Sequence, residues 1–531
     1  MKFEELTSGL AGAAHSGALA GDAVEITGLA YDSRAVRPGE LFFCVSGFAS
    51  DGHDFAAEAV AHGAGALVVE RPLGLGVPEL LVESARAAMA TLAARFYGDP
   101  TARLRVVGVT GTNGKTTTAY LVRALMEASG EQCGLLGTVK SVVGGSERPL
   151  QRTTPEAIEL QAGFQEMLEA GDRACAMEVS SHALELGRTD AVHFAAAIFT
   201  NLTQDHLDFH DTMEDYFQAK RRLFGSGAGG TRSIAASGAP LAEPPGVSVV
   251  NIGDPYGRRL ASEIEGARTF AVEAPGDYSA VGLRCGFGGC RFTLRTPAGE
   301  REAALPMPGG FNVANALGAL AAVHELGGEL DLLLAALECG VHVPGRFEPV
   351  DCGQDFAVLV DYAHTPDSLE NVLRAARELL ASGERRGGRV VCVFGAGGDR
   401  DRAKRPLMGE IAARLAEVVL VTSDNPRSED PEQIITEIMR GVARVDRSPG
   451  RLAGAQAPPV RAIADRRAAI GEAIASARDG DVVVIAGKGH EQGQELADGR
   501  KIPFDDTSVA REALLALRAE QTADPPARAT A

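Results

Sequence analysis

The chain has 531 residues, 45 % of them hydrophobic, no Trp and a formal net charge of −19. That length exceeds one hydrophobic core, so about two to four domains are expected, and the acidic balance argues against nucleic acid as the main partner. No apolar run reaches the roughly 18 residues of a membrane helix, which argues against membrane insertion.

The N-terminus, MKFEELTSGL, is acidic and polar and lacks the basic-then-apolar order of a signal peptide. The eight cysteines form no CxxC pair. Cys285 and Cys290 are too isolated to suggest zinc, so reduced thiols in the cytoplasm are expected. Residues 1–100 read as an Ala/Gly-rich unit of short strands and helices, closed by the turn Gly98-Asp99-Pro100.

A buried strand, Leu104–Val109, runs into a glycine-rich turn and a helix start carrying Lys115 and Thr116. Such a turn lets backbone N–H groups approach phosphate oxygens, the lysine adds a point charge, and the threonine hydroxyl can ligate Mg²⁺. The loop lacks the generic glycine at Val109 and has Gly108, Gly111 and Gly114 instead. The strand Ala174–Met177 then delivers Glu178, in the manner of a Walker-B acid, ahead of the capping pair Ser180-Ser181. Ala195–Phe199 leads to the cluster Asp205, His206, Asp208 and His210, which suits a metal, a phosphate or a plain polar loop. Met213–Phe224 is an amphipathic helix with Tyr216, Phe217, Leu223 and Phe224 apolar; by pattern alone Lys220 reads as solvated. Gly225–Gly246 is low in complexity and reads as a surface excursion.

Gly309–Gly327 is a glycine-led helix in which Asn312 and Asn315 share a face, either toward a base or sugar or as a cap and a helix contact. His342–Arg346 reads as a linker. Four further strands end in polar clusters. Phe356–Val360 precedes Asp361 and His364, with Thr365 as N-cap and Pro366 at the first helical position. Arg389–Phe394 precedes Gly395–Arg405, a turn with dense cations suited to phosphate or carboxylate. Val418–Thr422 precedes Asp424-Asn425-Pro426-Arg427, and Val482–Ala486 precedes Gly487–Glu491. The last dozen residues, QTADPPARATA and their neighbour, are expected to be disordered. Apolar runs without alternation suit parallel strands covered on both faces, with the site beyond their carboxyl ends. The fold class is therefore α/β, with two doubly wound sheets facing a shared cleft.

Ten segments occur in order: GTNGKTT, MEVSSHAL, FTNLTQDHLDFH, YFQAKRRLF, FNVANALGA, GRFE, DYAHTP, FGAGGDRDRAKRPLM, SDNPRSED and AGKGHE. Together with YDSRAVRPGELFFCVSG near the N-terminus they closely resemble the Mur ligases of peptidoglycan synthesis. The resemblance implies three domains: a smaller N-terminal α/β domain for the uridine nucleotide (1–102), a central P-loop ATPase with a doubly wound sheet (103–343), and a C-terminal Rossmann-like domain for the incoming amino acid (344–531). It implies that Gly111, Thr112, Asn113, Gly114, Lys115, Thr116 and Thr117 hold ATP phosphates, with Asn312, Arg346, Asp361 and His364 also on ATP. Mg²⁺ would sit among Thr116, Glu178, His206 and Lys220, the last as a carbamylated lysine; Lys115, Lys220 and His206 would be catalytic. Tyr31, Ser33, Phe48, Ala49 and Ser50 fall where the UDP portion binds, and Thr153, Thr154, Ser180 and Arg188 where the muramoyl-dipeptide arm lies. Arg400, Asp424, Asn425, Pro426, Arg427, Gly487 and Glu491 align with an amino-acid pocket.

The reaction implied is ATP-dependent amide ligation through an acyl phosphate. It joins the γ-carboxylate of D-glutamate in UDP-N-acetylmuramoyl-L-alanyl-D-glutamate to meso-diaminopimelate, in a cytoplasmic monomer. Lys115, His206 and two Mg²⁺ ions would neutralise developing charge. Diaminopimelate exceeds lysine by one carboxylate, at the end that bears the side-chain amine, and Arg427, absent from the corresponding motif of lysine-adding relatives, supplies a fork for that carboxylate. The rivals are the same ligation with L-lysine or another diamino acid, a folylpolyglutamate synthase-like ligase, and a nucleotide-gated binding or regulatory protein.

Overall fold

In a computed structural model the chain forms three α/β units in sequence, each built on its own sheet. Residues 1–10, 12–16, 24–47, 50–150, 152–225, 244–381, 387–445 and 459–523 are described, so Phe48, Ala49, most of Gly225–Gly246 and the end of the chain from residue 524 lie outside them. Gln521–Ala523 continue the C-terminal helix Asp506–Ala523, so helix replaces the disorder expected at those three positions.

The first sheet orders Ala14–Ser16, Glu79–Leu81, Ala66–Val69, Glu40–Phe43 and Gly28–Ala30, parallel apart from its first pair. The second has eleven strands. Its middle is parallel, with Arg105–Thr110 between Ala174–Glu178 and Phe194–Phe199. Successive side chains of these strands feed two separate cores. Val107, Val109, Ala174, Ala176, Ala196 and Ile198 face the layer that holds the helices Lys115–Ala128 and Gly310–Glu325. Val106, Cys175, Met177, Ala197 and Phe199 face the layer that holds Ala157–Glu169 and Met213–Arg221. That is why the strands carry no polar alternation. Each fully buried Val or Phe contributes roughly 1.5–3 kcal/mol of transfer free energy, so two covered faces hold these strands firmly.

The parallel expectation fails at the sheet's margins. Tyr278–Gly286, Gly289–Thr296 and Gly299–Leu305 pair antiparallel, as do Ser141–Val143 and Ser146–Arg148. There one face is solvated, and Gly289–Thr296 alternates buried and open positions accordingly. Cys285 and Cys290 stand opposite one another across the first of these hairpins and form a disulfide, correcting the expectation that all thiols are reduced.

The third sheet has six strands, with Ala357–Asp361, Val482–Ala486, Val390–Phe394, Val418–Val421 and Val460–Ala462 parallel and Glu348–Pro349 antiparallel on its edge. It repeats the two-faced pattern: Val390, Cys392 and Phe394 enter one core, Val391 and Val393 the other. Phe287 and Phe311 of the second unit pack onto the first of these cores, an apolar seam between units. The cations expected to be available in Gly395–Arg405 are partly committed. Arg405 is fully buried and pairs with Glu429 and Glu437, at 2.7 and 2.8 Å. No helix among the described residues is long and apolar enough to cross a membrane.

One ion pair ties the third unit together. Arg466 and Asp506 are both fully buried, 2.7 Å apart, and the guanidinium also donates to the carbonyls of Ser423 and Ala486, the ends of two strands. Removing one partner leaves a buried charge uncompensated. Asp506→Asn is expected to lower stability by about 3–5 kcal/mol in denaturant unfolding.

Candidate active site

The carboxyl ends of the second sheet and the edge of the third enclose a cavity of about 330 Å³, lined among others by Thr112–Thr117, Glu178, Lys220, Arg346 and Asp361. Its floor is the phosphate-type loop. Gly111 has φ +145°, and a Cβ there would meet Thr200 Oγ1 at 1.9 Å; Gly114 has φ +84°, and a Cβ would meet Asn315 Oδ1 at 2.3 Å. Only glycine fits at either position. The helix then starts at Lys115. The loop is braced from the neighbouring strand end, with Asn201 Oδ1 accepting from the Asn113 N–H at 2.9 Å. Lys115 Nζ donates to the carbonyls of Gly111 and Thr112 at 2.9 and 2.8 Å. A phosphate group would take over that ammonium.

Thr116 Oγ1 donates to Glu178 Oε2 at 3.0 Å, and Arg346 Nη2 donates to Thr116 Oγ1 at 2.9 Å. Glu178 also accepts from the Thr138 N–H and hydroxyl, at 2.7 and 3.1 Å. A hydroxyl and a carboxylate side by side are hard oxygen donors suited to Mg²⁺. That ion is commonly bound through one or two carboxylates plus substrate phosphates rather than in an all-protein cage. No three His, Cys, Asp or Glu side chains gather as a cage among the described residues, in keeping with that mode. His206 lines the same cavity with its Nε2 3.5 Å from Asp205 and its ring 4.8 Å from that of His182. Burial first, then neighbouring His182, Lys220 and Lys115, push His206 down to about 3, outweighing Asp205. A ring in its neutral form can ligate a metal.

Lys220 is not a solvated lysine. It is 1 % exposed, donates to the Gly111 carbonyl at 2.8 Å and lies 4.6 Å from the Tyr216 ring centroid. Burial, reinforced by Lys115, holds its pKa well below the ordinary lysine range. A neutral amine is the form that adds CO₂, and the resulting carbamate would place an anion where the buried amine now lies.

From the third unit, Asp361 accepts from the Phe347 and Ala363 N–H groups, at 2.7 and 2.8 Å, and burial pushes it up to about 6. Arg346 lies 4.6 Å from the Tyr362 ring centroid, and that ring lies 5.0 Å from His490. His364 lines the cavity and burial pushes it down to about 4. Thr365 Oγ1 accepts from the Ser368 N–H at 3.2 Å, the expected cap. Asn315 rather than Asn312 lines the cavity; Asn312 donates to the Pro308 carbonyl at 2.8 Å. Sequence reasoning also passed over Thr138, Tyr362 and Asp367. Asp367 Oδ2 accepts from Asn113 Nδ2 at 2.7 Å, joining the phosphate loop to the third unit.

The residues expected around the dipeptide arm do cluster. Thr153 Oγ1 is 3.0 Å from Thr138 Oγ1; Thr154 Oγ1 donates to the Glu178 carbonyl at 2.9 Å and accepts from the Ser180 N–H at 3.1 Å; Arg188 Nη1 donates to the Thr154 carbonyl at 3.1 Å. Thr154 is 1 % exposed and sits behind Ser180 in this wall. In the first unit, Tyr31, Ser33 and Ser50 are not in the cavity lining. The Tyr31 hydroxyl donates to Glu159 at 2.7 Å and Ser33 to Glu58 at 2.7 Å, while Ser50 is exposed.

The residues expected around an amino acid form a second cluster at the third sheet's edge. Arg427, at φ +50°, donates through Nε to Glu495 at 3.1 Å and through Nη1 to the Gly398 carbonyl at 2.7 Å, so part of the expected open fork is already engaged. Asn425 Nδ2 donates to Glu491 at 2.8 Å. A Cβ on Gly487 would meet Asp424 Oδ2 at 2.8 Å, and Pro426 closes over Gly398. Arg400 Nη1 donates to the Asp399 carbonyl at 3.1 Å on the exposed side of this cluster.

Comparison with known proteins gives three family matches: the Mur ligase middle domain over residues 109–323, the Mur ligase glutamate ligase domain over 345–489, and the Mur ligase family catalytic domain over 25–97. A curated relative from Syntrophomonas wolfei, a UDP-N-acetylmuramoyl-L-alanyl-D-glutamate–2,6-diaminopimelate ligase, is 46 % identical over 494 residues, covering 92 % of this chain and 95 % of its own. A relative of the same name from Geobacillus kaustophilus is 46 % identical over 495 residues, covering 92 % and 95 %. A solved structure of that name has 31 % identity and a TM-score of 0.65, covering 98 % of this chain and 99 % of its own. The fold alone is shared with a MurF ligase from Thermotoga maritima in complex with ADP, at 19 % identity and a TM-score of 0.60, covering 94 % and 98 %.

Gly114→Ala places a methyl group against Asn315 at a φ that side chains avoid. It is expected to weaken nucleotide binding by about tenfold or more in an ADP titration, with the chain still folded.

Proposed function

The chain belongs to the Mur ligase family of ATP-dependent, ADP-forming ligases, and on that premise we propose that it joins meso-2,6-diaminopimelate to the D-glutamate γ-carboxylate of UDP-N-acetylmuramoyl-L-alanyl-D-glutamate in cytoplasmic peptidoglycan precursor synthesis. The observation that carries this reading is the path from Thr116 through Arg346 and Tyr362 to His490, which runs from the phosphate loop to the amino-acid cluster. Residues 1–102 would take the uridine nucleotide, 103–343 ATP and 344–531 the amino acid.

ATP passes its γ-phosphoryl group to the substrate carboxylate, and the diaminopimelate amine then displaces phosphate from the acyl phosphate to give the amide. Lys115 and the loop N–H groups hold the phosphates in line, a positioning and electrostatic task. Arg346 reaches the phosphate side from the linker. The dipeptide carboxylate would lie near Thr153, Ser180 and Arg188, within reach of the same loop. Arg427 Nη2 would take the distal carboxylate of diaminopimelate, with Glu491 and Asn425 on its ammonium side. Mg²⁺ fits Thr116 and Glu178, with His206 and a carbamylated Lys220 nearby, and when bound it neutralises phosphate charge. Closure of the units would keep water from the acyl phosphate.

Phosphate release is expected only when ATP, the UDP-muramoyl dipeptide and diaminopimelate are all present. Equal release with L-lysine would replace the amino acid assigned, and release indifferent to both partners would replace the ligase reading. Arg427→Ala is expected to raise KM for diaminopimelate by about ten- to a hundredfold with little effect on KM for ATP. Stripping CO₂ from the assay is expected to lower activity, with recovery on adding bicarbonate, if Lys220 works as its carbamate.

A further inference from the structure

Lys488 lies in the loop Gly487–Glu491, within the amino-acid cluster. Its side chain is fully buried. Its ammonium makes contacts to three residues of the amino-acid cluster: Asn425 Oδ1 at 2.9 Å, Glu491 Oε2 at 2.7 Å and Asp424 Oδ1 at 3.6 Å. These residues stand at the ends of two different strands, Val418–Val421 and Val482–Ala486. Asn425 is fixed from every side: its oxygen accepts from Lys488 and from the Glu495 N–H at 2.9 Å, while its amide donates to Glu491 Oε2 at 2.8 Å. Glu491 Oε2 thus takes both donors, and Glu491 Oε1 has no hydrogen bond among the described residues.

We propose that Lys488 is a positioning residue for the amino-acid subsite, locking Asn425 and Glu491 so that Glu491 Oε1 faces the ammonium group of the incoming diamino acid. This rests on the ligase reading above. The charge count supports it. Asp424 and Glu491 bring two negative charges to this cluster. One buried ammonium leaves a single net negative charge there, enough to hold one substrate ammonium. Arg427, already half-compensated by Glu495, serves the adjacent carboxylate. Without Lys488, Glu491 Oε2 keeps only the Asn425 amide as donor, and the charges of Asp424 and Glu491 lose the cation that both of them contact. A lysine suits the task better than arginine, because a compact ammonium with three rotatable donors can meet three acceptors converging on one point.

The test is steady-state kinetics on Lys488→Met, with each of the three substrates varied in turn. A hydrogen-bonded charge is lost on the far side of the substrate amine, so KM for the amino acid is expected to rise about ten- to a hundredfold. KM for ATP and for the UDP-muramoyl dipeptide, and kcat at saturating amino acid, should stay within about threefold. If Lys488→Met fails to fold, Lys488→Gln carries the test, since it keeps similar length and two donors while removing the charge; the same selective rise, smaller in size, is expected. An unchanged amino-acid KM overturns the proposal, as does a comparable rise for all three substrates. Should the wild-type chain use another amino acid, the diaminopimelate reading falls while the effect of Lys488 is still read on the amino acid actually used.

Discussion

The hydrogen-bonded chain from Arg346 through Thr116 to Glu178 is the contact on which the rest of the architecture depends. Thr116 opens the helix after the phosphate loop, Glu178 ends the adjacent strand, and Arg346 enters from the segment that joins the second unit to the third. A single hydroxyl therefore registers two neighbouring strand ends of one sheet and the approach of another domain. The Asn113–Asp367 hydrogen bond adds a second crossing at the same loop. Two hydrogen bonds thus join the third unit and its linker to the glycine-rich loop.

The third unit answers with rigidity of a different kind. Its two polar strand ends are held by buried charges: Arg466 and Asp506 from behind, Lys488 from within. Burying such groups is costly unless each is paired and hydrogen-bonded, and here each is. The cost is borne where two loops must present a fixed pattern of donors and acceptors. Apolar packing could stabilise this region equally well but could not fix the direction of an amide or a carboxylate.

Much of this was legible in the sequence, for a physical reason. Parallel strands covered on both faces write themselves as unbroken apolar runs, and a polar cluster after such a run marks the carboxyl end where a site can form. The predicted strands at 104–109, 174–177 and 482–486 fall on observed strands, the last residue for residue. The antiparallel margins carry a different signal from unbroken apolar runs: Gly289–Thr296 alternates apolar and polar residues, and Ser141–Val143 and Ser146–Arg148 are too short to show a period. The disulfide was missed because five residues of separation say nothing of two side chains facing across a turn. Within the site, motif and residue type pointed to Lys115, Thr116 and Glu178, and these three line the cavity. Residue type did not suffice where tertiary placement decides. Asn312 and Asn315 share a helix face, yet only Asn315 reaches the cavity. Lys220 looks solvated by pattern and is buried by the fold. Lys488 carries no signal of its own, because its partners lie at the ends of two strands far apart in the chain.

A ligase that couples the phosphate loop to the amino-acid cluster must form a covalent bond between its two acceptor substrates. Mass spectrometry of the UDP-linked product, after incubation with ATP, the UDP-muramoyl dipeptide and meso-diaminopimelate, tests this. The account predicts one diaminopimelate residue in amide linkage to the D-glutamate γ-carboxylate for each ADP formed. ADP formation with the UDP-linked dipeptide recovered unchanged would contradict it.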